Sequence, residues 1–264
     1  MKNPKSANPS ILLSVAGFDP SGGAGVLLDL KVFQYFNFLG QAVLTSLTAQ
    51  NTIEVTSIHS LSASFIQEQY EALKKDFIFH GLKIGLLSSP EHAEVVHSIL
   101  TEMATIPRVV DPVFKSSSGR TFWPTQYLKD YISKIIPLAS LITPNLEEAE
   151  ILVGYSITSP AEMEKAAQEI VRLGAKACLL KGGHLCDSPV DILFDGYQVY
   201  RFPHQKIPFS THGTGCLLSS SLLALIAQGN NLPEATQKAI DFTQRQILSS
   251  LPWGRGPRII WLKE

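Results

Sequence analysis

The sequence predicts an α/β fold: a mostly parallel sheet with helices on both faces and an antiparallel hairpin at one edge. Three observations carry this expectation. Short apolar runs alternate with segments whose apolar residues recur at helical spacing along most of the 264 residues. Glycine-rich or proline-bearing loops follow the apolar runs directly, as strand-to-helix connections require. Asp195-Gly196 separates two short β-rich runs, and Asp-Gly readily takes the positive φ of a tight hairpin.

Taken in order, Ile11 to Ala16 is an apolar run followed by a glycine-rich loop, which suits a strand buried on both faces. Val26, Leu30 and Phe33 then mark a helix, and Gln41 to Thr48 the next strand. Ser64 with Gln67 reads as a capping box opening a helix striped by Ile66, Tyr70, Leu73 and Phe77. Leu82 to Leu87 is strand-like, and Ser89-Pro90 starts a helix with proline where no N–H is needed. Arg108 to Asp111 and Ser140 to Thr143 are short strands, each ending at a proline. Asn145 with Glu148, and Ser159-Pro160 with Glu162, open two helices. Lys176 to Lys181 is a strand, and Asp191 to Phe194 with Tyr197 to Phe202 forms the hairpin. Two helices close the chain, from about Gly215 to Gln228 and from Pro233 to about Ser250. No repeat or composition shift divides the chain, so 1–264 is expected to be one domain with a flexible lead-in over residues 1–10.

Composition excludes several functions. Lys plus Arg is 22 against 23 Asp plus Glu, a net charge of -1, whereas non-specific nucleic-acid or polybasic membrane binding needs clustered positive charge. The 45% hydrophobic and 17% charged fractions exclude a mainly disordered chain. No apolar run approaches the ~18 residues of a spanning helix, and the polar start lacks a secretory stretch. Cys178, Cys186 and Cys216 make an odd count without CxxC, which fits neither a disulfide framework nor a zinc knuckle. A cytoplasmic protein is expected, and the charge balance is compatible with a homodimer.

In a doubly wound sheet, ligands sit outside the C-terminal strand ends, and the informative residues follow strands here. The loop from Ala16 to Gly25 fits neither common phosphate pattern, since Gly23 stands where a P-loop needs lysine and Leu28 where GxGxxG needs glycine. Asp29 and Gln50-Asn51 nearby offer a carboxylate and an amide, which together can recognise an aminated heterocycle. The run Ser210 to Cys216 enters a helix through Gly213-Thr214-Gly215, leaving free N–H groups and a dipole end for a phosphoryl group. Cys216 lies in that first turn, where a thiolate is expected to be favoured, while Cys178 reads as core and Cys186 carries no motif. Asp111 and Glu148 suit a Mg²⁺ shell, with Glu148 also capping its helix. Lys181, with Asn145 and Thr143, forms the candidate nucleotide-contacting set.

At this point the sequence resembles a known family. AGFDPSGGAGVLLDLK, LTAQNT, KIGLL, VDPVF, LITPNLEEAE, LLKGGH and STHGTGC occur in the order and spacing of the hydroxymethylpyrimidine/phosphomethylpyrimidine kinases of thiamine biosynthesis. The resemblance runs from about Ile11 to Ser250 and implies a ribokinase-like three-layer sandwich. It implies ATP-dependent phosphorylation of 4-amino-5-hydroxymethyl-2-methylpyrimidine and then of its monophosphate. On the matching motifs, Asp29 and Gln50 would hold the aminopyrimidine with the Gly17 region closing over it. Cys216 would be the base, Gly213, Thr214 and Gly215 the anion hole, and Asn145 with Glu148 the metal-linked pair. Leu86 replaces the family's usual methionine in a pocket wall, and Phe114 stands where methionine is commoner. Those departures touch substrate preference, and some pyridoxal kinases share Gly-Thr-Gly-Cys. A pyridoxal/pyridoxine kinase is therefore the nearest alternative, and a non-catalytic nucleotide- or pyrimidine-binding protein the next.

Overall fold

A computed structural model describes residues 9–116, 119–183 and 189–262. Residues 1–8 of the lead-in expected over 1–10, together with His184 and Cys186, lie outside them. β1 (Ile11–Phe18) is the third strand from one edge of the sheet, with α1 (Gly25–Tyr35) returning to a parallel neighbour, β2 (Leu39–Gln50). The chain then crosses back to β4 (Phe79–Ile84) on the other side of β1, and β5 (Arg108–Val110), β6 (Leu141–Ile142) and β7 (Cys178–Leu180) continue in parallel. The strand order therefore reverses between β1 and β4, the place where an open α/β sheet leaves a crevice.

Side-chain alternation feeds two layers of helices. Leu13, Val110, Ile142 and Leu180 face the core shared with α2 (Ala63–Lys74), α3 (Pro90–Glu102), α4 (Leu128–Lys134), α5 (Leu146–Val153) and α6 (Pro160–Arg172). Leu12, Val109, Leu141 and Leu179 face the opposite core, against α1, α7 (Thr214–Ala227) and α8 (Leu232–Leu248). This is the expected three-layer sandwich.

Both edges are antiparallel, where the sequence suggested one. β8 (Val190–Phe194) and β9 (Val199–Pro203) form the expected hairpin, its turn held by Asp195 accepting from the N–H groups of Tyr197 and Gln198. At the other edge, β3 (Val55–Ser60) pairs antiparallel with β2. β3 escaped notice because four of its six residues are polar and most of it is exposed. The helix cap expected at Ser64 lies two residues earlier: Ser62 accepts from Phe65 N–H, and Gln67 donates to Glu71 instead. The strand expected at Leu82 to Leu87 ends at Ile84, which leaves Gly85 and Leu86 as loop at the crevice. A small parallel ladder, β10 (Thr211–His212) with β11 (Arg258–Ile259), pins the segment before α7 and was not anticipated. Among the described residues, no helix is long and apolar enough to cross a membrane.

Candidate active site

The crevice has two lobes. An inner cavity of about 210 Å³ is walled by Gly17, Gln50, Leu86, Phe122, His212 and Cys216. An outer cavity of about 790 Å³ is walled by Phe114, Gly183, Asp191, His204, Leu218 and Thr243. The lobes share Asn145, Glu148, Lys181, Thr214 and Gly215 among their lining residues, and these stand at the junction between them.

Glycine makes that junction possible. Gly213 caps α7 with a φ of 81°, and a Cβ there would stand 1.9 Å from the Gly23 carbonyl oxygen, so the two glycine-rich loops close-pack. A Cβ on Gly215 would meet Lys181 Nζ at 3.3 Å and Asp111 Oδ2 at 3.5 Å, the charged groups an incoming phosphate would face. α7 has no side-chain cap, which leaves its first N–H groups open toward the junction.

Asp111 is buried and densely bonded. Its Oδ1 accepts from Lys181 Nζ and Thr143 Oγ1, each at 3.1 Å, and its Oδ2 from Ser219 Oγ at 3.2 Å. Burial opposes its charge, but Lys181, Lys83 and the Thr143 hydroxyl hold the carboxyl below the ordinary carboxylate range. Burial likewise opposes the Lys181 ammonium, which Asp111 and Glu148 hold above its ordinary range. Glu148 keeps the capping box with Asn145, accepting its N–H at 2.8 Å while Asn145 Oδ1 accepts the Glu148 N–H at 2.9 Å. Burial, with Asp111 nearby, pushes the Glu148 carboxyl up to about 7 despite Lys181. Two carboxyls facing one junction, one of them reluctant to ionise, are a donor set short of positive charge. A magnesium ion fits that need, with water and phosphate completing its shell. Among the described residues no cluster of three His, Cys, Asp or Glu side chains stands ready to hold it alone.

Several expectations need correction. Asp29 does not reach the crevice: it is fully buried, ion-paired with Lys83, and accepts from Ser14 Oγ at 2.6 Å and Ser220 Oγ at 2.7 Å. Its place on the inward face of α1 makes it a structural anchor, not a substrate contact. Thr143 is also fully buried and outside both lobes, where it supports Asp111 rather than a nucleotide. Cys216 lines the inner lobe, but burial pushes its thiol up to about 11 even though Lys83 and the Gly25 N–H favour the thiolate. A first-turn position is not enough when solvent is withdrawn. Phe114 packs edge-on against Tyr131 and lines the outer lobe, so it does not shape the inner pocket.

Gly17, Gln50, Leu86, Asn145, Glu148, Asp111, Lys181 and Gly213 to Cys216 do converge on the crevice. Sequence reasoning passed over Asp19 and His212, which face Gln50 across the inner lobe, and Lys83, fully buried beneath it. An aspartate two residues past the first strand glycine, and a histidine just before Gly-Thr-Gly, were the available signals.

A reversed-order parallel sheet that aims a bare helix N-terminus and a lysine–carboxylate set between two lobes defines a small-molecule kinase of the ribokinase-like class. Comparison with known proteins narrows the class. A family model described as phosphomethylpyrimidine kinase matches residues 19–261, and this chain belongs to that family. The hydroxymethylpyrimidine/phosphomethylpyrimidine kinase of Aquifex aeolicus (strain VF5) is 42% identical over 252 residues, covering 95% of this chain and 99% of its own. Among solved structures, phosphomethylpyrimidine kinase from Clostridium difficile 630 is 36% identical with a TM-score of 0.79, covering 89% of this chain and 98% of that one. The ADP complex of Bacillus subtilis pyridoxal kinase is 28% identical with a TM-score of 0.86, covering 96% and 98%.

Proposed function

We propose that the protein transfers the γ-phosphoryl group of ATP to the hydroxymethyl oxygen of 4-amino-5-hydroxymethyl-2-methylpyrimidine, and then phosphorylates the monophosphate. The carrying observation is the shared junction, where open N–H groups of α7 meet Lys181, Asp111 and Glu148 between an inner and an outer lobe. Phosphoryl transfer asks a protein mainly for positioning and charge stabilisation, and that is what these groups supply.

The inner lobe suits a flat ring: Leu86, Val55 and Phe122 form a buried apolar cluster beside the Gln50 amide. The outer lobe is the larger and takes the nucleotide, with Asn145 and Lys181 on its floor. Thr214, Gly215 and Cys216 N–H groups stabilise charge on the moving phosphoryl oxygens, and Lys181 adds a fixed cation held in place by Asp111. Asp111 and Glu148 would hold magnesium, whose charge when bound offsets that of the phosphates. Cys216, which lines the inner lobe at the start of α7, is the side chain read as accepting the hydroxymethyl proton, although burial pushes its thiol up to about 11. The full chain is read as one kinase domain acting on small molecules in the cytoplasm.

A coupled ATP-consumption assay over hydroxymethylpyrimidine, its phosphate, pyridoxal and pyridoxine tests this reading. Turnover of the first two at a kcat/KM well above the B6 vitamers is expected. Preference for pyridoxal would transfer the assignment to a vitamin B6 kinase, as the Bacillus subtilis neighbour is named. No turnover with any acceptor would leave a binding protein.

A further inference from the structure

Gln50, the last residue of β2, meets His212 of β10 across the inner lobe. His212 Nε2 lies 2.8 Å from Asp19 Oδ2 and 3.0 Å from the Gln50 amide nitrogen. At the other end of the amide, Thr48 Oγ1 stands 3.3 Å from Gln50 Oε1 and 3.0 Å from the Phe18 carbonyl oxygen. A ring nitrogen carries at most one hydrogen, and a hydroxyl carries one.

Hydrogen counting decides which way round this amide lies. Burial opposes the Asp19 charge, but bonds from His212 and Ser21 hold its carboxyl below the ordinary range, so Asp19 is an acceptor. His212 Nε2 must then be a donor, and it has no lone pair to receive the Gln50 N–H. The Phe18 carbonyl is an acceptor too, so the Thr48 hydrogen points there and none is left for Gln50 Oε1. With nitrogen toward His212, the amide therefore sets N–H against N–H and oxygen against a lone pair. A half-turn about its terminal torsion removes the N–H against N–H conflict and the lone-pair conflict: Oε1 shares the single His212 Nε2–H with Asp19 Oδ2 in a three-centre bond, and Nε2 donates to Thr48 Oγ1. Amide nitrogen and oxygen are alike in size, so nothing else need move.

We propose that His212, itself held by Asp19, is a positioning residue that fixes the Gln50 amide with its oxygen toward His212 and its nitrogen toward Thr48, and thereby sets which ring the inner lobe accepts. The free edge of the fixed amide shows an acceptor on the His212 side and a donor on the Thr48 side. A 4-aminopyrimidine matches it, with the amino N–H meeting Oε1 and the adjacent ring nitrogen meeting Nε2–H. The 4-oxo analogue has a carbonyl and a ring N–H in those places, and in the same pose it needs the amide reversed. This rests on the proposed function, since it names the ring that function acts on. It also explains a role for the β10–β11 ladder, which holds the His212 backbone through pairing with Ile259.

The test compares the 4-amino substrate with its 4-oxo analogue in the wild type, His212→Ala and Asp19→Asn. Removing the His212 donor frees the amide to turn. Asp19→Asn can donate to His212 Nε2 and so permits the other tautomer and the reversed amide. Each variant should lower the amino-to-oxo ratio of kcat/KM by at least about tenfold, the scale of one mispaired buried polar group. The loss should fall on the KM of the pyrimidine, with the KM of ATP little changed. A ratio held within about twofold in both variants, with both substrates weakened alike, would overturn the proposal and leave His212 a packing residue. Nitrogen-15 NMR of the ligand-free wild type gives an independent reading, because the proposal requires the Nε2–H tautomer at His212. Observation of the Nδ1–H tautomer overturns it even if the variants fail to fold. A wild type that ignores the aminopyrimidine, yet shows the Nε2–H tautomer, would sink the proposed function and leave the amide assignment standing.

Discussion

In the first turn of α7, Cys216 receives the favourable end of the helix dipole and the field of Lys83, yet burial outweighs both and pushes its thiol up to about 11. If this thiol accepts the hydroxymethyl proton, kcat should go on rising with pH from 7 to 9.5, and Cys216→Ser should flatten that limb. A pH–rate profile that levels off at neutral pH in the wild type would remove Cys216 from the proton transfer. Glu148 sits at the same junction and is shifted in the same direction, again by burial. Its carboxyl is raised to about 7 in the folded protein, so ionising it is harder folded than unfolded. Stability should therefore fall as pH rises from the ordinary carboxylate range to about 7, and then level. Glu148→Gln removes that cost and can keep the capping box with Asn145. In metal-free buffer the variant's melting temperature should gain on the wild type between pH 5 and pH 8. Magnesium should raise the wild type's melting point at pH 8 and leave the variant's unmoved, while kcat of the variant drops.

Helix starts are where local sequence speaks most directly, and α2 shows the limit of that reading. Ser64 and Gln67 fit a capping box by spacing, but the helix begins earlier because Ser62 has the extended backbone and accepts from Phe65 N–H at 3.2 Å. Ser62→Ala should cost about 1 kcal/mol in urea unfolding. Ser64→Ala should cost much less, because among the described residues its hydroxyl bonds the Ser62 hydroxyl and no backbone group. At α7 the cap is a glycine for a different reason. Gly213→Ala would place a methyl group where the Gly23 carbonyl stands, at a positive φ that alanine resists. It should push the two glycine-rich loops apart and lower kcat/KM by about 10²-fold, the scale of a misplaced catalytic group. Near-normal kinetics in Gly213→Ala would show that the loops need not touch.

Across the whole molecule, the sheet and its two helical layers rest on apolar alternation, but buried charged side chains cross that pattern, Lys83, Asp29 and Asp111 among them. Lys83 from β4 and Asp29 from α1 form an ion pair with no solvent exposure, and Ser220 of α7 bonds the same carboxylate. The pair thus ties the central sheet to two helices of one layer, directly beneath the crevice. Asp29→Ala leaves the Lys83 charge unpaired and should cost about 3–5 kcal/mol of stability. The pyrimidine KM of whatever remains folded should change little. A large KM increase with unchanged melting would return Asp29 to the substrate site. Asp111, tied to Ser219 one residue earlier on α7, does the equivalent work at the junction itself.

What the sequence determined alone is the part governed by short-range periodicity and by motifs adjacent in the chain. The alternation of strand and helix, the β8–β9 hairpin, the Asn145–Glu148 cap and the Gly213 to Cys216 loop all involve neighbours a few residues apart. For the same reason β3 was invisible, because an exposed polar edge strand is defined by its partner and not by its own apolar pattern. Asp29, Thr143, His212 and Lys83 could be placed only by the tertiary structure. Whether a carboxylate lines a pocket or neutralises a lysine depends on which strand end lies beside it, and Lys83 is 54 residues from Asp29 in the chain. The Cys216 thiol was likewise decided by the fold, since the helix supplies the dipole locally while the withdrawal of water, the larger effect, comes from everything packed around it.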